Sequence, residues 1–422
     1  MTSQPKQASQ GALELPRAFG NYLLFDRIGR GGMAEIYLAR IRDELGGSRR
    51  VVIKEVLAEL SSDPGFVRML VREAKLAAQL NHRNVVHVVD LGRESGRLFI
   101  AMEYVEGYDL NQLLRQLSRR RLPLPVQFAI FIIRETLAAL HYAHRAKDEH
   151  GAPMGVVHRD VSPSNVLVSF EGEINLCDFG IARALDMDLE RRPGPQRAGY
   201  EVDDSRVTQA RVAGKSAYMA PEHARGEHVD LRSDIFAAGI LLWELCAGRR
   251  LYKGSEEEML EMARRGEVPP LPSRRLPEQP RVQAILDRAL AVDPAARYQS
   301  AAEMLEDLEE YALATSQMAS QLKFGSFLTE NFSEEIVALR RARERAAEAA
   351  LHTENIPFTD VEPVTLTSEP PSRVQRRSSP EPDAHEPPPS VEPEPGKSRS
   401  WLLLVAAALA GLAAVAWVLG AQ

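Results

Sequence analysis

The residues HRDVSPSN, from His158 to Asn165, concentrate several polar groups in one short segment of the chain. A guanidinium, a carboxylate and a carboxamide stand close together there, on Arg159, Asp160 and Asn165. Such groups are costly to bury unless each one is paired or hydrogen-bonded. Their crowding therefore points to a chemical task.

The composition is that of a globular protein. The chain has 422 residues, of which 44% are hydrophobic and 26% charged, so it can bury a real core in one large or a few small domains. The net charge of -7 argues against nucleic acid as a partner. The two cysteines, Cys177 and Cys246, imply neither a disulfide framework nor a zinc cluster, which fits a reducing cytosol.

Composition also divides the chain into regions. The Pro/Glu/Ser-rich stretch cannot bury enough apolar area to offset its ordering entropy. In the region before it, Ser333 followed by two glutamates predicts the start of a helix. We predict a disordered N-terminus (1–18), a folded domain (19–314), a helical extension (315–352), a disordered linker (353–400) and an apolar segment (401–420).

The apolar segment, Trp401 to Gly420, carries no charge over a length sufficient to cross a bilayer core of about 30 Å. A buried core helix is the alternative, which the preceding linker disfavours. Lys397 and Arg399 keep the N-terminal bulk in the cytoplasm by the positive-inside tendency, so we expect a single-pass C-terminal anchor in the cytoplasmic membrane. Alanines at four-residue spacing would permit two copies of this helix to approach closely, so a homodimer is one alternative.

Three further segments are ambiguous when each is taken alone. IGRGGMAEIYLAR, from Ile28 to Arg40, is either a phosphate-binding loop or a hairpin turn with spare glycines, and Ala34 replaces the third glycine of G-x-G-x-x-G. Lys54 lies in a Val/Ile strand, where burial would demand an anionic partner. Glu73, on an amphipathic helix, is that partner or a solvated residue.

The order of these segments removes the ambiguity. Together the segments resemble the protein kinase signature set. In chain order they are the glycine-rich hairpin, the Lys on a strand, the Glu on a helix, HRDVSPSN, CDFG (Cys177–Gly180) and YMAPE (Tyr218–Glu222). GGMAEIYLAR is similar to the bacterial eukaryotic-like serine/threonine kinases. The resemblance covers about residues 20–314. It implies an α+β bilobal kinase fold with an N-lobe sheet and αC helix (19–105) and a mainly helical C-lobe (106–314).

The resemblance also implies roles for the polar residues, with ATP and Mg²⁺ as cofactors. Phosphoryl transfer depends mainly on positioning and charge stabilisation. Asp160 would accept the proton of the substrate hydroxyl. Lys54, fixed by Glu73, would hold the α- and β-phosphates. Asn165 and Asp178 would supply the oxygen ligands that Mg²⁺ prefers.

The nucleotide would lie between the glycine-rich hairpin and the hinge AMEYVEGYDL. Met102 would guard a back pocket, and Glu103 and Val105 would offer backbone groups to adenine. Asp109 would reach the ribose or the substrate. The residues expected at this site are Ile28, Gly29, Arg30, Gly31, Gly32, Met33, Ala34, Ile36, Lys54, Glu103, Val105, Asp109, Leu167 and Asp178.

Three residues are expected to support the site, and others to regulate it. Asp234 would brace the catalytic loop, and Glu222 and Arg297 would form a structural ion pair. Arg159 would bind a phosphate on the activation segment, residues 178–222, after autophosphorylation. The alternative is constitutive activity with an unmodified loop. The candidate phosphorylation sites are Thr208, Ser205 and Ser216.

These features predict a membrane-anchored kinase that phosphorylates Ser or Thr of protein substrates in bacterial signalling. A pseudokinase that binds ATP and acts as a scaffold is the main alternative. A small-molecule kinase is disfavoured by YMAPE, which resembles the peptide-docking segment of protein kinases.

Two positions depart from the family pattern. Serine/threonine kinases usually carry a Lys two residues after the catalytic Asp, where this chain has Ser162. They also tend to have a Thr shortly before A-P-E, where this chain has Lys215. We interpret the pair as an exchange in which Lys215 reaches Asp160 and the γ-phosphate. The alternative is damage in a degraded kinase, and the departure also weakens the assignment of the acceptor hydroxyl.

Lys215→Ala tests the exchange. We expect this substitution to lower turnover, because it removes the positive charge that compensates for Ser162. Steady-state phosphorylation assays of wild type and variant measure the effect. Unimpaired turnover in Lys215→Ala would contradict the interpretation.

Overall fold

The computed structural model describes residues 15–42, 48–179, 216–273, 276–351 and 362–363. All of them belong to the first of the two units into which the chain divides, Met1–Leu366. Gly180, Ser205, Thr208, Lys215 and the apolar segment 401–420 lie outside the described residues. Within the described ranges, no helix combines the length and apolar character that crossing a membrane requires.

An antiparallel sheet forms the N-terminal lobe. Its described strands are β1 (Arg17–Phe19), β2 (Tyr22–Arg30), β3 (Ala34–Arg42), β4 (Ser48–Val56), β5 (Val88–Glu94), β6 (Arg97–Glu103) and β10 (Glu362–Pro363). They follow the order β1-β2-β3-β4-β6-β5-β10 in the sheet, so the hairpin β2–β3 carries the glycine-rich turn and β4 lies inside the sheet.

Two helices follow β4 in the chain, α1 (Ala58–Ser61) and α2 (Pro64–Ala78). Asp63 caps α2 by accepting the N–H groups of Gly65 and Phe66, and proline at the first helical position suits this start. Apolar side chains at helical spacing bury one face of α2, which therefore packs against the lobe rather than standing in solvent.

The second lobe is mainly helical. A small sheet of β7 (Gly107–Asp109), β8 (Val166–Ser169) and β9 (Ile174–Leu176) lies at its junction with the first lobe. Its described helices are α3 (Leu110–Arg119), α4 (Val126–His144), α5 (Pro221–Ala224), α6 (Leu231–Ala247), α7 (Glu256–Arg265), α8 (Gln279–Ala289), α9 (Ala301–Ala314) and α10 (Gln321–Leu351), with 3₁₀ turns at Ser216–Tyr218 and Pro294–Ala296. This arrangement confirms the expected bilobal α+β fold.

Helix α6 forms the centre of the second lobe. Every residue from Ser233 to Ala247 is buried, since the run FAAGILLWELCA is apolar apart from Glu244. Asp230 caps its N-terminus, and Gly248 ends it with φ of +60°, a conformation that favours glycine. The indole N–H of Trp243 is satisfied by the carbonyl of Pro269 at 2.9 Å.

Helix α10 corresponds to the extension predicted after the folded domain. Its backbone leaves helical geometry at Phe332 (φ -132°, ψ 20°), so it consists of two segments. The second segment begins beside Ser333, where the sequence predicts a helix start.

The predicted ion pair between Glu222 and Arg297 is confirmed. The guanidinium donates two hydrogen bonds of 2.7 Å to the carboxylate, and both residues are buried. Burial by itself raises the pKa of Glu222, but hydrogen bonds from Arg297 and Ser233 outweigh it and leave the pKa lowered. The contribution of the pair to stability is therefore present at neutral pH and is lost as the pH falls through that lowered pKa.

Arg297→Ala should destabilise the fold strongly. We expect the free energy of unfolding to fall by about 3–5 kcal/mol, because the substitution leaves Glu222 charged, buried and without its guanidinium. Urea unfolding at pH 7 measures the change. Arg281→Ala is the control, since Arg281 pairs with Glu278 and Glu310 at the surface and such pairs contribute about 0–1 kcal/mol. Equal effects in the two variants would refute the assignment.

Candidate functional site

A buried carboxylate holds the segment HRDVSPSN in place. Asp234, near the start of α6, is 1% exposed and accepts the backbone N–H groups of His158 at 2.8 Å and Arg159 at 2.7 Å. The ring Nε2 of His144 lies 2.8 Å from the same carboxylate. Burial raises the pKa of Asp234, but these histidines and hydrogen bonds more than compensate and lower it. The predicted brace of the catalytic loop is therefore confirmed.

HRDVSPSN is also joined to CDFG. The ring Nε2 of His158 lies 2.9 Å from the carbonyl oxygen of Cys177, and its ring centroid lies 4.5 Å from that of Phe179. Arg159 and Asp178 both have φ of +66°, an uncommon backbone conformation for residues with a side chain. Such strain tends to cluster where function requires a fixed geometry.

Asp160 and Asn165 form one hydrogen-bonded unit. The carboxamide nitrogen of Asn165 donates to the backbone carbonyl of Asp160 at 2.7 Å and to its Oδ2 at 3.0 Å. Asn165 is buried. Since Mg²⁺ prefers oxygen ligands, the carboxamide oxygen is the atom of this side chain that could bind the metal.

Lys54 and Asp178 bring the N-terminal sheet to the CDFG segment. The sheet register places Lys54 on β4 opposite Ile36 on β3 and Ile100 on β6. From there its Nζ donates to Asp178 Oδ2 at 2.7 Å, with the two side chains 12% and 23% exposed. Glu73 is buried on α2, and its predicted pairing with Lys54 stays a prediction.

The donor set suits Mg²⁺. Among the described residues, no group of three or more His, Cys, Asp or Glu side chains is placed to hold a metal by itself. Magnesium in nucleotide sites usually takes one or two protein oxygens and completes its shell with phosphate and water. Asn165 and Asp178 are oxygen donors of that kind, and their predicted role as metal ligands stays a prediction.

The geometry of the hairpin does not by itself require glycine at positions 29 and 31. The N–H of Gly31 donates to the carbonyl of Ala34 at 2.8 Å, which closes the turn. Neither Gly29 nor Gly31 has a positive φ, and a Cβ added to either would meet its nearest neighbour at an ordinary 3.5 Å or 3.7 Å. The fold therefore tolerates side chains here, and the glycines favour close approach of a ligand.

Apolar residues predicted to lie near adenine pack together in the structure. Met102 packs in one cluster with Met33, Val105 and Leu167. Ala34 is buried, whereas Ile28 at the mouth of the hairpin is 36% exposed. Met102 also lines a small cavity together with Ile100 and Phe179, and its predicted role as guard of a back pocket stays a prediction.

Hinge residues have additional structural contacts. The carboxylate of Glu103 accepts the N–H of His87 at 2.8 Å. Asp109 caps α3 by accepting the N–H of Gln112 at 2.7 Å, and burial raises its pKa. Their predicted contacts with the nucleotide, and those of Gly32, Arg30 and Ile36, stay predictions.

The positions that depart from the family pattern are only partly described. Ser162 is buried, and its hydroxyl lies 3.0 Å from that of Ser164. Lys215 lies outside the described residues, so the exchange stays a prediction. Ser216 is fully buried in a 3₁₀ turn, which disfavours it as a phosphorylation site.

Sequence reasoning missed a polar network beneath the YMAPE segment. The hydroxyl of Tyr218 donates to Glu244 Oε2 at 2.7 Å, and burial raises the pKa of Glu244 to about 7. Arg250 contacts both groups and donates to Asn111 Oδ1 at 2.8 Å. One signal was available, because Glu244 is the acidic residue in the apolar run LLWELCA.

Comparisons with known proteins agree with this geometry. The family model described as "Protein kinase domain" matches residues 22–308. The chain is 38% identical over 330 residues to tyrosine-protein kinase MasK of Myxococcus xanthus, covering 77% of this chain and 48% of that protein. It is 36% identical over 299 residues to serine/threonine-protein kinase PknB of Mycobacterium leprae, covering 69% and 43%. The chain thus spans less than half the length of these curated relatives.

Solved structures give the same result. The chain is similar to the crystal structure of the Mycobacterium tuberculosis PknI kinase domain, in a cysteine-to-alanine mutant, at 30% identity and a TM-score of 0.52. The match covers 72% of this chain and all of that one. A double mutant of the same domain matches at 29% identity and a TM-score of 0.53.

Asp234→Asn should loosen the catalytic loop. The substitution replaces a charged acceptor by an amide, and hydrogen bonds to charged groups contribute about 1.5–3 kcal/mol, so we expect the His158 and Arg159 amides to exchange roughly tenfold faster or more. Hydrogen exchange followed by mass spectrometry measures this. Asp230→Asn, on the same helix, is the matched control, because its carboxylate bonds Arg232 instead. Unchanged exchange in Asp234→Asn would show that the brace is dispensable.

Proposed function

The chain belongs to the protein kinase family, and on that premise we propose that it transfers the γ-phosphate of ATP to Ser or Thr hydroxyls of protein substrates. The observation that carries the proposal is the presence of two hydrogen-bonded pairs, Asp160 with Asn165 and Lys54 with Asp178. In the proposed site these pairs would supply the base, the cation and the two metal ligands.

Each residue has a role that follows from its contacts. Asp160, oriented by Asn165, accepts the proton of the attacking hydroxyl. Lys54 offers its ammonium group to the phosphates, and Asp178 sets the direction in which it points. Asn165 and Asp178 would hold Mg²⁺, which neutralises phosphate charge when it is bound.

A tyrosine acceptor is the second candidate. Ser162 stands where the serine/threonine class usually has its Lys. One relative, at 38% identity, is named a tyrosine-protein kinase. Several others are named serine/threonine kinases, which keeps Ser or Thr as the first proposal.

Membrane location and regulation are also part of the proposal. The uncharged segment Trp401–Gly420 supports a single-pass anchor that keeps the catalytic lobes in the cytoplasm, with bacterial signalling as the role. Autophosphorylation at Thr208 or Ser205 would place a phosphate for Arg159. A homodimer through the anchor, by contrast, rests on alanine spacing alone.

Asp160→Asn tests the catalytic proposal. We expect incorporation of labelled phosphate from Mg-ATP into a generic protein substrate to fall by about 10²- to 10⁴-fold, because the variant loses its general base. Asp287→Asn, an exposed aspartate on α8, is the control. Acid hydrolysis of the labelled product then distinguishes phosphoserine and phosphothreonine from phosphotyrosine.

Two results would contradict parts of the proposal. Nucleotide binding without phosphate transfer by the wild type would favour the pseudokinase scaffold. Phosphotyrosine as the sole product would replace the Ser/Thr assignment by the tyrosine candidate.

A further inference from the structure

Helix α10, Gln321–Leu351, lies beyond the family match and contacts both lobes. The match ends at residue 308, whereas the helix begins at residue 321. We call it the strap helix. It packs at its start on the second lobe, passes the hinge and ends on the N-terminal sheet.

The start of the strap helix is fixed by a close backbone crossing. Gly172 has φ of +85°, and a Cβ added there would lie 2.2 Å from the carbonyl oxygen of Gln321. A Cβ on Gly325 would lie 2.8 Å from the backbone of Glu171. Phe324 packs on Phe128 with ring centroids 4.9 Å apart. This crossing leaves no room for a side chain and sets the register of the helix.

The far end of the strap helix is buried in the other lobe. Ala347 is 2% exposed and packs with Phe25 and Leu38 of the N-terminal sheet. Between the two ends, Arg120 of the second lobe pairs with Glu335 and lies over the ring of Phe332 at 5.1 Å. The helix is therefore anchored to each lobe separately.

The middle of the strap helix contacts the hinge. Arg343 donates to the hydroxyl of Tyr104, and its guanidinium lies 5.2 Å from the centre of that ring. Arg340 donates to Glu106 Oε2 at 2.9 Å. Arg50 of β4 approaches the same two hinge residues, at 5.4 Å from the ring and 3.5 Å from the carboxylate. Arginines of the strap helix and of β4 therefore contact the same two hinge residues.

Neighbouring hinge side chains point in opposite directions. Val105 packs with the cluster that contains Met102 and Leu167, on the cleft side. Tyr104 packs with the cluster that contains Ala347, on the strap side. In extended backbone, successive residues face opposite sides. Contacts to the Tyr104 side chain therefore reach the hinge from the side opposite to that of Val105.

We propose that Arg343 and Arg340 are positioning residues for ATP binding. By holding Tyr104 and Glu106, they fix the hinge backbone whose groups at Glu103 and Val105 receive adenine. The inference rests on the proposed function, since it concerns the nucleotide site of the same enzyme. Arg343 acts on the nucleotide through Tyr104 and does not touch it.

Full-length Arg343→Ala provides the test, with calorimetric titration of a non-hydrolysable Mg-ATP analogue as the first readout. Coupling through packed networks changes affinities by a few-fold to tens of fold, so we expect binding roughly five- to tenfold weaker than in the wild type. In kinetics, KM for ATP should rise more than kcat falls. Arg343→Lys should give an intermediate affinity, because it keeps the charge but loses the planar stacking.

Arg341→Ala is the matched control. Arg341 carries the same charge on the same helix, and it is exposed. Its replacement should leave nucleotide affinity unchanged. An equal loss of affinity in Arg341→Ala would overturn the proposal, because it would reflect net charge rather than contact with the hinge.

The route through Tyr104 is tested by a double-mutant cycle. In a Tyr104→Ala background, Arg343→Ala should add little, because the ring and hydroxyl that it contacts are gone. If Arg343→Ala weakened nucleotide binding equally with and without Tyr104, the proposed action through Tyr104 would be overturned. A lower melting temperature with unchanged affinity would reduce Arg343 to a structural residue. Absence of nucleotide binding by the wild type would instead contradict the proposed function itself.

Discussion

The buried carboxylate of Asp234 is the contact on which the geometry of the site depends. It comes from a helix whose residues are nearly all buried, so its position is set by the core of the second lobe. By accepting two consecutive backbone N–H groups, it fixes the loop at His158 and at Arg159, whose φ is positive. The side chain of the next residue, Asp160, then accepts the hydrogen bond from Asn165.

The two lobes are joined on opposite sides of the cleft by different kinds of contact. On the cleft side, Lys54 of the sheet meets Asp178 of the CDFG segment at 2.7 Å. This pair retains some exposure, so it contributes orientation more than stability. On the other side, the strap helix uses buried apolar packing at its two ends and guanidinium contacts at the hinge.

The candidate site residues were predictable because the order of the motifs resembles the protein kinase signature set. That resemblance implied a base at Asp160 and magnesium ligands at Asn165 and Asp178, and the side chains suit these proposed roles chemically. The brace by Asp234 and the ion pair of Glu222 with Arg297 followed from the family resemblance, and the structure confirms both.

The remaining features depend on tertiary partners that no local pattern specifies. Gly172 and Gly325 are far apart in sequence, and only their crossing shows why both are glycine. The arginines of the strap helix look alike in the sequence RRARER, yet Arg343 meets Tyr104 and Arg341 is exposed. Glu244 was missed for the same reason, since its partners Tyr218 and Arg250 come from separate segments.

The strap helix also determines what the minimal folding unit of this protein is. The family match stops at residue 308, inside α9 and before the strap helix begins. A protein truncated there would lose the partners of Phe128 on one lobe and of Phe25 on the other, and would present both apolar surfaces to water. Exposed patches of this kind promote self-association. The region matched by the family model is therefore smaller than the unit that this chain needs in order to keep both apolar surfaces covered.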